Sequence, residues 1–131
     1  MGKNLGSWSW RMLISCLVPF LCLTGCDDPG ALTPQEAKEH LQKVKGVRVV
    51  DVRTEGEFRQ GHLPDAVNVP LNEFDKFLTR YEKEEPVLFY CRSGNRSGTA
   101  LYQAKQRGYQ QVFHIKGGIS AWEDAGFPVV R

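Results

Sequence analysis

Val87-Leu88-Phe89-Tyr90-Cys91-Arg92-Ser93-Gly94-Asn95-Arg96-Ser97 is the stretch that decides how this chain folds. Four apolar residues read as a buried strand, and Ser97 to Arg107 reads as a helix. Between them lies a short loop with one cysteine, one glycine and two arginines. Cys91 stands at the head of that loop, where a strand hands over to a helix. Backbone N–H groups, the positive end of the helix dipole and two guanidinium groups all favour the thiolate there. Gly94 permits backbone angles that turn successive N–H groups inward, which makes a cradle for an anion or for a charged atom on Cys91. Such surroundings lower a thiol pKa into a range of roughly 3.5–7.5.

On either side of this stretch the same strand-then-helix rhythm repeats. Thr33-Pro34-Gln35-Glu36 opens a helix as a capping box with proline in the first turn. Ala37, Leu41 and Val44 give that helix an apolar face, and Gly46 ends it. Val47 to Val50 reads as a strand, Thr54 to Gln60 as a short helix closed by Gly61, and Ala66 to Val69 as a brief strand. Leu71, Phe74, Phe77, Leu78 and Tyr81 recur at helical spacing, which predicts an amphipathic helix over 72–81. Past the helix that follows Cys91, Gly108 is expected at the cap. Val112 to Ile115 reads as the last strand, Gly117-Gly118 as a turn, and Ile119 to Asp124 as a closing helix. Short strands that are apolar on both sides and alternate with helices define an α/β fold, a parallel sheet covered on both faces. Ligands of such sheets bind beyond the carboxyl ends of the strands. Cys91 lies at one such end, and Asp51 and Arg53 at another. Asp51 and Arg53 either flank the pocket or close the strand end as a structural pair.

The amino end is a separate object. Met12 to Leu23 is twelve residues without a charge, preceded by Lys3 and Arg11. That is short of the about 20 residues a spanning helix needs, and Pro19 interrupts it. A basic start, a short apolar centre and a small-residue end describe an export signal. Leu23-Thr24-Gly25-Cys26 resembles the lipobox of bacterial lipoproteins, which implies lipidation of Cys26 and a membrane anchor. Asp27 resembles an inner-membrane retention signal, which implies a periplasmic location at that membrane. An ordinary cut near Gly25 and an uncut anchor are the alternatives. The expected organisation is a signal peptide at 1–25, a tether at 26–32 and a domain at 33–131.

Processing changes both charge and thiol content. The chain of 131 residues carries 17 basic and 15 acidic side chains. Loss of Lys3 and Arg11 brings the two signs into balance, so a polybasic nucleic-acid surface is not indicated. Of the four cysteines, Cys16 and Cys22 leave with the signal and Cys26 is alkylated. Cys91 is left without a disulfide partner, and its arginine-rich loop favours use over inertness.

Taken together, the motifs resemble those of the single-domain rhodanese family of sulfurtransferases. Val50-Asp51-Val52-Arg53 resembles the family's early strand end. The segment from Glu57 to Pro70, with Gly61-His62-Leu63-Pro64, resembles its Gly-His-Ile-pro segment. Cys91 to Ser97 resembles the catalytic loop, and Gly117-Gly118-Ile119-Ser120-Ala121-Trp122 the closing Gly-Gly-x-x-x-Trp. Leu63 and Asp65 stand where Ile and Gly are more usual. The resemblance implies a five-stranded parallel sheet with helices on both faces. It also implies a Cys91 nucleophile that takes a sulfane sulfur from thiosulfate or a persulfide and passes it to a thiol or cyanide. Arg92, Ser93, Gly94, Asn95, Arg96 and Ser97 would bind the donor's charge, without a metal or organic cofactor. Related phosphatases and arsenate reductases carry one more residue between cysteine and arginine, so the shorter loop here favours sulfur over phosphate. A persulfide carrier or redox partner with little turnover of its own is the alternative use of the same thiol. His62 is expected to make a structural hydrogen bond, Trp122 and Phe74 to lie in the core, and His40 and His114 to have no role.

Overall fold

The computed structural model describes residues 28–131. The segment expected to act as a signal, 1–25, and Cys26, where lipidation is expected, lie outside the described residues. Five strands form one sheet: β1 (Ala31–Leu32), β2 (Arg48–Asp51), β3 (Val67–Asn68), β4 (Val87–Tyr90) and β5 (Val112–Ile115). Their order is β1-β5-β4-β2-β3, and every pairing is parallel. The α/β expectation therefore holds, and β4 sits at the centre.

The central strand shows why both faces must be covered. Its four side chains are all buried. Val87 and Phe89 enter one core with Phe74, Phe77, Ala100, Leu101 and Ala104. Leu88 and Tyr90 enter the other with Ala37, Ile119 and Trp122. Alternation along a strand sends neighbours to opposite faces, so an unbroken apolar run needs a helix layer on each side. Helices α3 (Phe74–Arg80) and α4 (Asn95–Gln106) cover the first face. Helices α1 (Pro34–Lys43) and α5 (Gly118–Asp124) cover the second. Phe77 packs edge-on against Phe89 with centroids 5.2 Å apart.

Local signals act as expected at several ends. Thr33 caps α1 in a capping box with Glu36. Thr54 and Glu57 make a second box at α2 (Glu55–Gln60), which Gly61 closes. Other boundaries move. The helix expected over 72–81 starts with a tight 3-10 turn at Leu71–Glu73, and its α-helical part begins only at Phe74. Such tightening is common in a first turn. The strand expected over 66–69 pairs only at Val67 and Asn68, as befits a sheet edge.

The assignment of 26–32 to a tether needs correction at its carboxyl end. Ala31 and Leu32 pair with His114 and Ile115 as the opposite edge of the sheet. Gly30 is buried beneath α4, where a Cβ would lie 2.8 Å from Leu101 Cδ2. Asp28 accepts from Gly30 N–H at 2.9 Å and from Lys105 Nζ at 2.7 Å. A two-residue strand carries no periodicity, so its sequence gives no strand signal.

Candidate active site

The cysteine loop begins where β4 ends and finishes as the first turn of α4. Cys91 is 1% exposed and is the free cysteine among the described residues. Gly94, with φ +103°, occupies the N-cap of α4 and turns the chain back over the thiol. Its N–H donates to Cys91 Sγ at 3.0 Å. Ser97 Oγ lies 3.5 Å from the same sulfur. Burial pushes the thiol pKa up. The Ser97 hydroxyl and the N–H groups of Ser97, Gly94 and Ser93 outweigh it, and the net effect is a lowered value. The cradle read from the sequence is therefore present, and it is aimed at sulfur.

Gly117-Gly118 does more than turn the chain. A Cβ on Gly118 would fall 2.3 Å from the Cys91 carbonyl oxygen and 2.5 Å from Arg92 C. The absence of a side chain lets α5 approach the loop from below. Ile119 N–H then donates to Cys91 O at 2.8 Å, and Ser120 N–H to Arg92 O at 3.3 Å. The loop is thus held by backbone hydrogen bonds from a second helix.

The two loop arginines differ in their commitments. Arg96 donates from both terminal nitrogens to Glu57, at 2.8 and 2.9 Å. The same Glu57 carboxylate accepts from Thr54 N–H at 3.0 Å as part of its capping box. Arg96, with burial opposing it, holds the Glu57 carboxyl down to about 2. Arg92 makes no ion pair among the described residues and lines an open cleft of about 270 Å³, together with Arg53, Glu57, Ser120, Glu123 and Arg131. Of the loop's two positive charges, one is neutralised and one faces the cleft.

Asp51 and Arg53 form a buried bidentate pair, with Arg53 Nη2 to Asp51 Oδ2 at 2.6 Å. Arg53 also donates to Gly61 O at 2.6 Å. Asp51 therefore orients an arginine, and that arginine forms part of the cleft wall. The pair closes the end of β2, and its arginine shares the cleft with Arg92.

Two participants were missed. Glu57 carries a sequence signal in retrospect, because Thr54-x-x-Glu57 is a capping box. His114 carries none, being 17 residues from its partner. Its Nδ1 lies 3.0 Å from Ser97 Oγ. His62 plays the structural part expected of it, stacking on Phe58 at 4.1 Å and bridging to Val130 through its backbone. Trp122 is core, with its indole N–H donating to Pro128 O at 2.9 Å. Among the described residues no group of His, Cys, Asp and Glu is arranged to hold a metal.

Such a fold and loop define an α/β domain that presents an activated thiol at a strand-to-helix turn. The rhodanese-like domain family matches residues 33–125, and the chain belongs to that family. It is similar to a sulfurtransferase of Allochromatium vinosum, 36% identical over 96 residues, which span 73% of this chain and 90% of the other. Its structure is similar to that of a rhodanese-like domain protein from Staphylococcus aureus, at 30% identity and TM-score 0.67, covering 77% of this chain and 98% of that one. It is also similar to a Rhodopseudomonas palustris protein described as of unknown function and a possible tyrosine phosphatase, at 29% identity and TM-score 0.68, covering 76% and 83%.

Proposed function

We propose that this protein is a sulfurtransferase that carries sulfur as a persulfide on Cys91. The single observation that carries this reading is the convergence of loop N–H groups and the Ser97 hydroxyl on a thiol that is 1% exposed. A sulfur so placed is stabilised as an anion without contact with a bulky group. The Cys91 thiolate attacks the outer sulfur of thiosulfate or of a persulfide. The S–S bond of the donor breaks, and its electron pair leaves on sulfite or on a thiolate. The terminal sulfur of the Cys91 persulfide is then attacked by an acceptor thiolate or by cyanide, and the Cys91 thiolate is regenerated. Backbone N–H donors stabilise the negative charge in each state. Arg92 faces the cleft from which a charged donor arrives.

Steady-state transfer from thiosulfate or a persulfide to a thiol tests this, with Cys91→Ser as control. Turnover that vanishes in the variant is expected. Loading of one sulfur without turnover would favour a carrier that releases sulfur only to a partner protein, a reading supported by the burial of Cys91. Hydrolysis of a phenyl phosphate by the wild type would instead favour phosphatase chemistry, which the short Cys91-to-Arg96 loop disfavours. The membrane placement rests on Leu23-Thr24-Gly25-Cys26 and Asp27. Incorporation of a labelled fatty acid that is lost in Cys26→Ser is the expected result.

A further inference from the structure

We propose that His114 is a positioning residue for the sulfur chemistry: it accepts the Cys91 proton through the Ser97 hydroxyl and so supplies the thiolate. The inference rests on the sulfurtransferase reading of Cys91 and assigns a role to a residue outside the loop.

The Ser97 hydroxyl has a single proton to donate. Ser97 Oγ is fully buried and has three polar neighbours: Cys91 Sγ at 3.5 Å, His114 Nδ1 at 3.0 Å and the Gly94 carbonyl at 3.1 Å. The Gly94 carbonyl already accepts the Gly98 N–H at 2.9 Å. Ser97 Oγ also donates to that carbonyl, and because the Gly98 N–H keeps the carbonyl partnered, turning the hydroxyl proton to the imidazole leaves no buried acceptor bare. A hydroxyl both accepts and donates, and these distances arrange a chain from Cys91 S–H to Ser97 O–H to His114 Nδ1. The ring stands on β5, on the face covered by α4, beside Gly94 and Gly98.

Transfer along that chain balances without a co-reactant. The thiol proton passes to Ser97 Oγ while the Ser97 proton passes to Nδ1. Thiolate and imidazolium result, and net charge is unchanged. In the product the imidazolium donates to Ser97, and Ser97 donates to the thiolate. The same donor then serves the Cys91 persulfide anion. The groups that act on His114 are Asp28 ahead of β1, Lys105 on α4 and Lys116 after β5. Burial is the largest influence and lowers its pKa; Asp28 opposes this and the two lysines reinforce it. Burial therefore works against the imidazolium, and the negative charge formed on Cys91 across Ser97 is what offsets it.

The test is timed alkylation of the full chain by iodoacetamide from mildly acidic to mildly alkaline pH, read by mass on the Cys91 peptide. It reports thiolate formation whether or not sulfur is transferred, so it stands apart from the turnover assay. His114→Asn keeps a hydrogen-bonding group near Nδ1 but cannot take a proton. The expected result is a midpoint about one unit higher, hence about tenfold slower alkylation at pH values below both midpoints. Ser97→Ala should give a similar shift, and the double variant no further one, because the residues act in series. A His114→Asn profile superimposable on wild type, or additive shifts in the double variant, would overturn the proposal. A normal profile shift without sulfur transfer would leave the relay standing and remove the sulfurtransferase reading alone.

Discussion

Glu57→Gln is the perturbation that separates electrostatic recognition in this site from mere architecture. Glu57 holds both terminal nitrogens of Arg96 at 2.8 and 2.9 Å, in a pair whose side chains are 35% and 28% exposed for Arg96 and Glu57. With the carboxylate neutralised, Arg96 becomes a second uncompensated cation beside Cys91. The gain for a dianionic donor follows from Coulomb's law: a unit charge acting on thiosulfate at roughly 8 Å, through an effective dielectric of about 60, contributes ~1.4 kcal/mol. Screening at physiological ionic strength reduces this to about 0.5–1 kcal/mol. Thiosulfate kcat/KM should therefore rise by about two- to fivefold. A monoanionic persulfide should gain less than about twofold by the same reckoning, and molar salt should erase both gains. Stability should fall by about 1 kcal/mol, since an ion pair about a third exposed contributes less than a buried one. The assay is steady-state transfer with each donor at low and high salt, alongside urea unfolding. A fall in thiosulfate kcat/KM with persulfide use unchanged would overturn this expectation, because it would mean that Arg96 recognises the donor while paired.

Other outcomes follow from the same contacts. Glu57 titrates near 2 when folded against an ordinary 4.5; its stabilisation is complete above about 4.5 and is lost as pH falls toward about 2, so acid unfolding of Glu57→Gln should show a shallower pH dependence across that window. Gly118→Ala forces a Cβ to within 2.3 Å of the Cys91 carbonyl at a φ of +61°; a loss of about 3 kcal/mol or more in urea unfolding is expected, with disrupted sulfur loading. Asp51→Asn strips the partner from an arginine that is 6% exposed and should cost about 3–5 kcal/mol, whereas exposed pairs such as Glu39 with Lys43 should be nearly neutral on mutation.

Much of the fold was legible because Val87 to Tyr90 has no polar face, which commits both sides of the sheet to helices. The Cys91 loop was legible because its residues are contiguous and its glycine sits where a left-handed turn is required. What the sequence hid was long-range pairing. His114 and Ser97 meet only because β5 lies beside β4 beneath α4, a neighbourhood set by strand order. Arg96 read as a free cation for the same reason: its partner Glu57 sits on another helix, 39 residues away. The edge strand at Ala31 and Leu32 was hidden by its brevity. Gly118 read as a turn residue, and only the packed structure shows α5 resting on the loop backbone.

The central claim, that Cys91 carries the sulfur, is tested most directly by the mass of the Cys91 peptide after the full chain meets thiosulfate or a low-molecular-weight persulfide. One added sulfur atom on Cys91 is expected, removed by cyanide or a thiol and absent in Cys91→Ser. Loading of no sulfur from either donor, or loading that persists in Cys91→Ser, would contradict it.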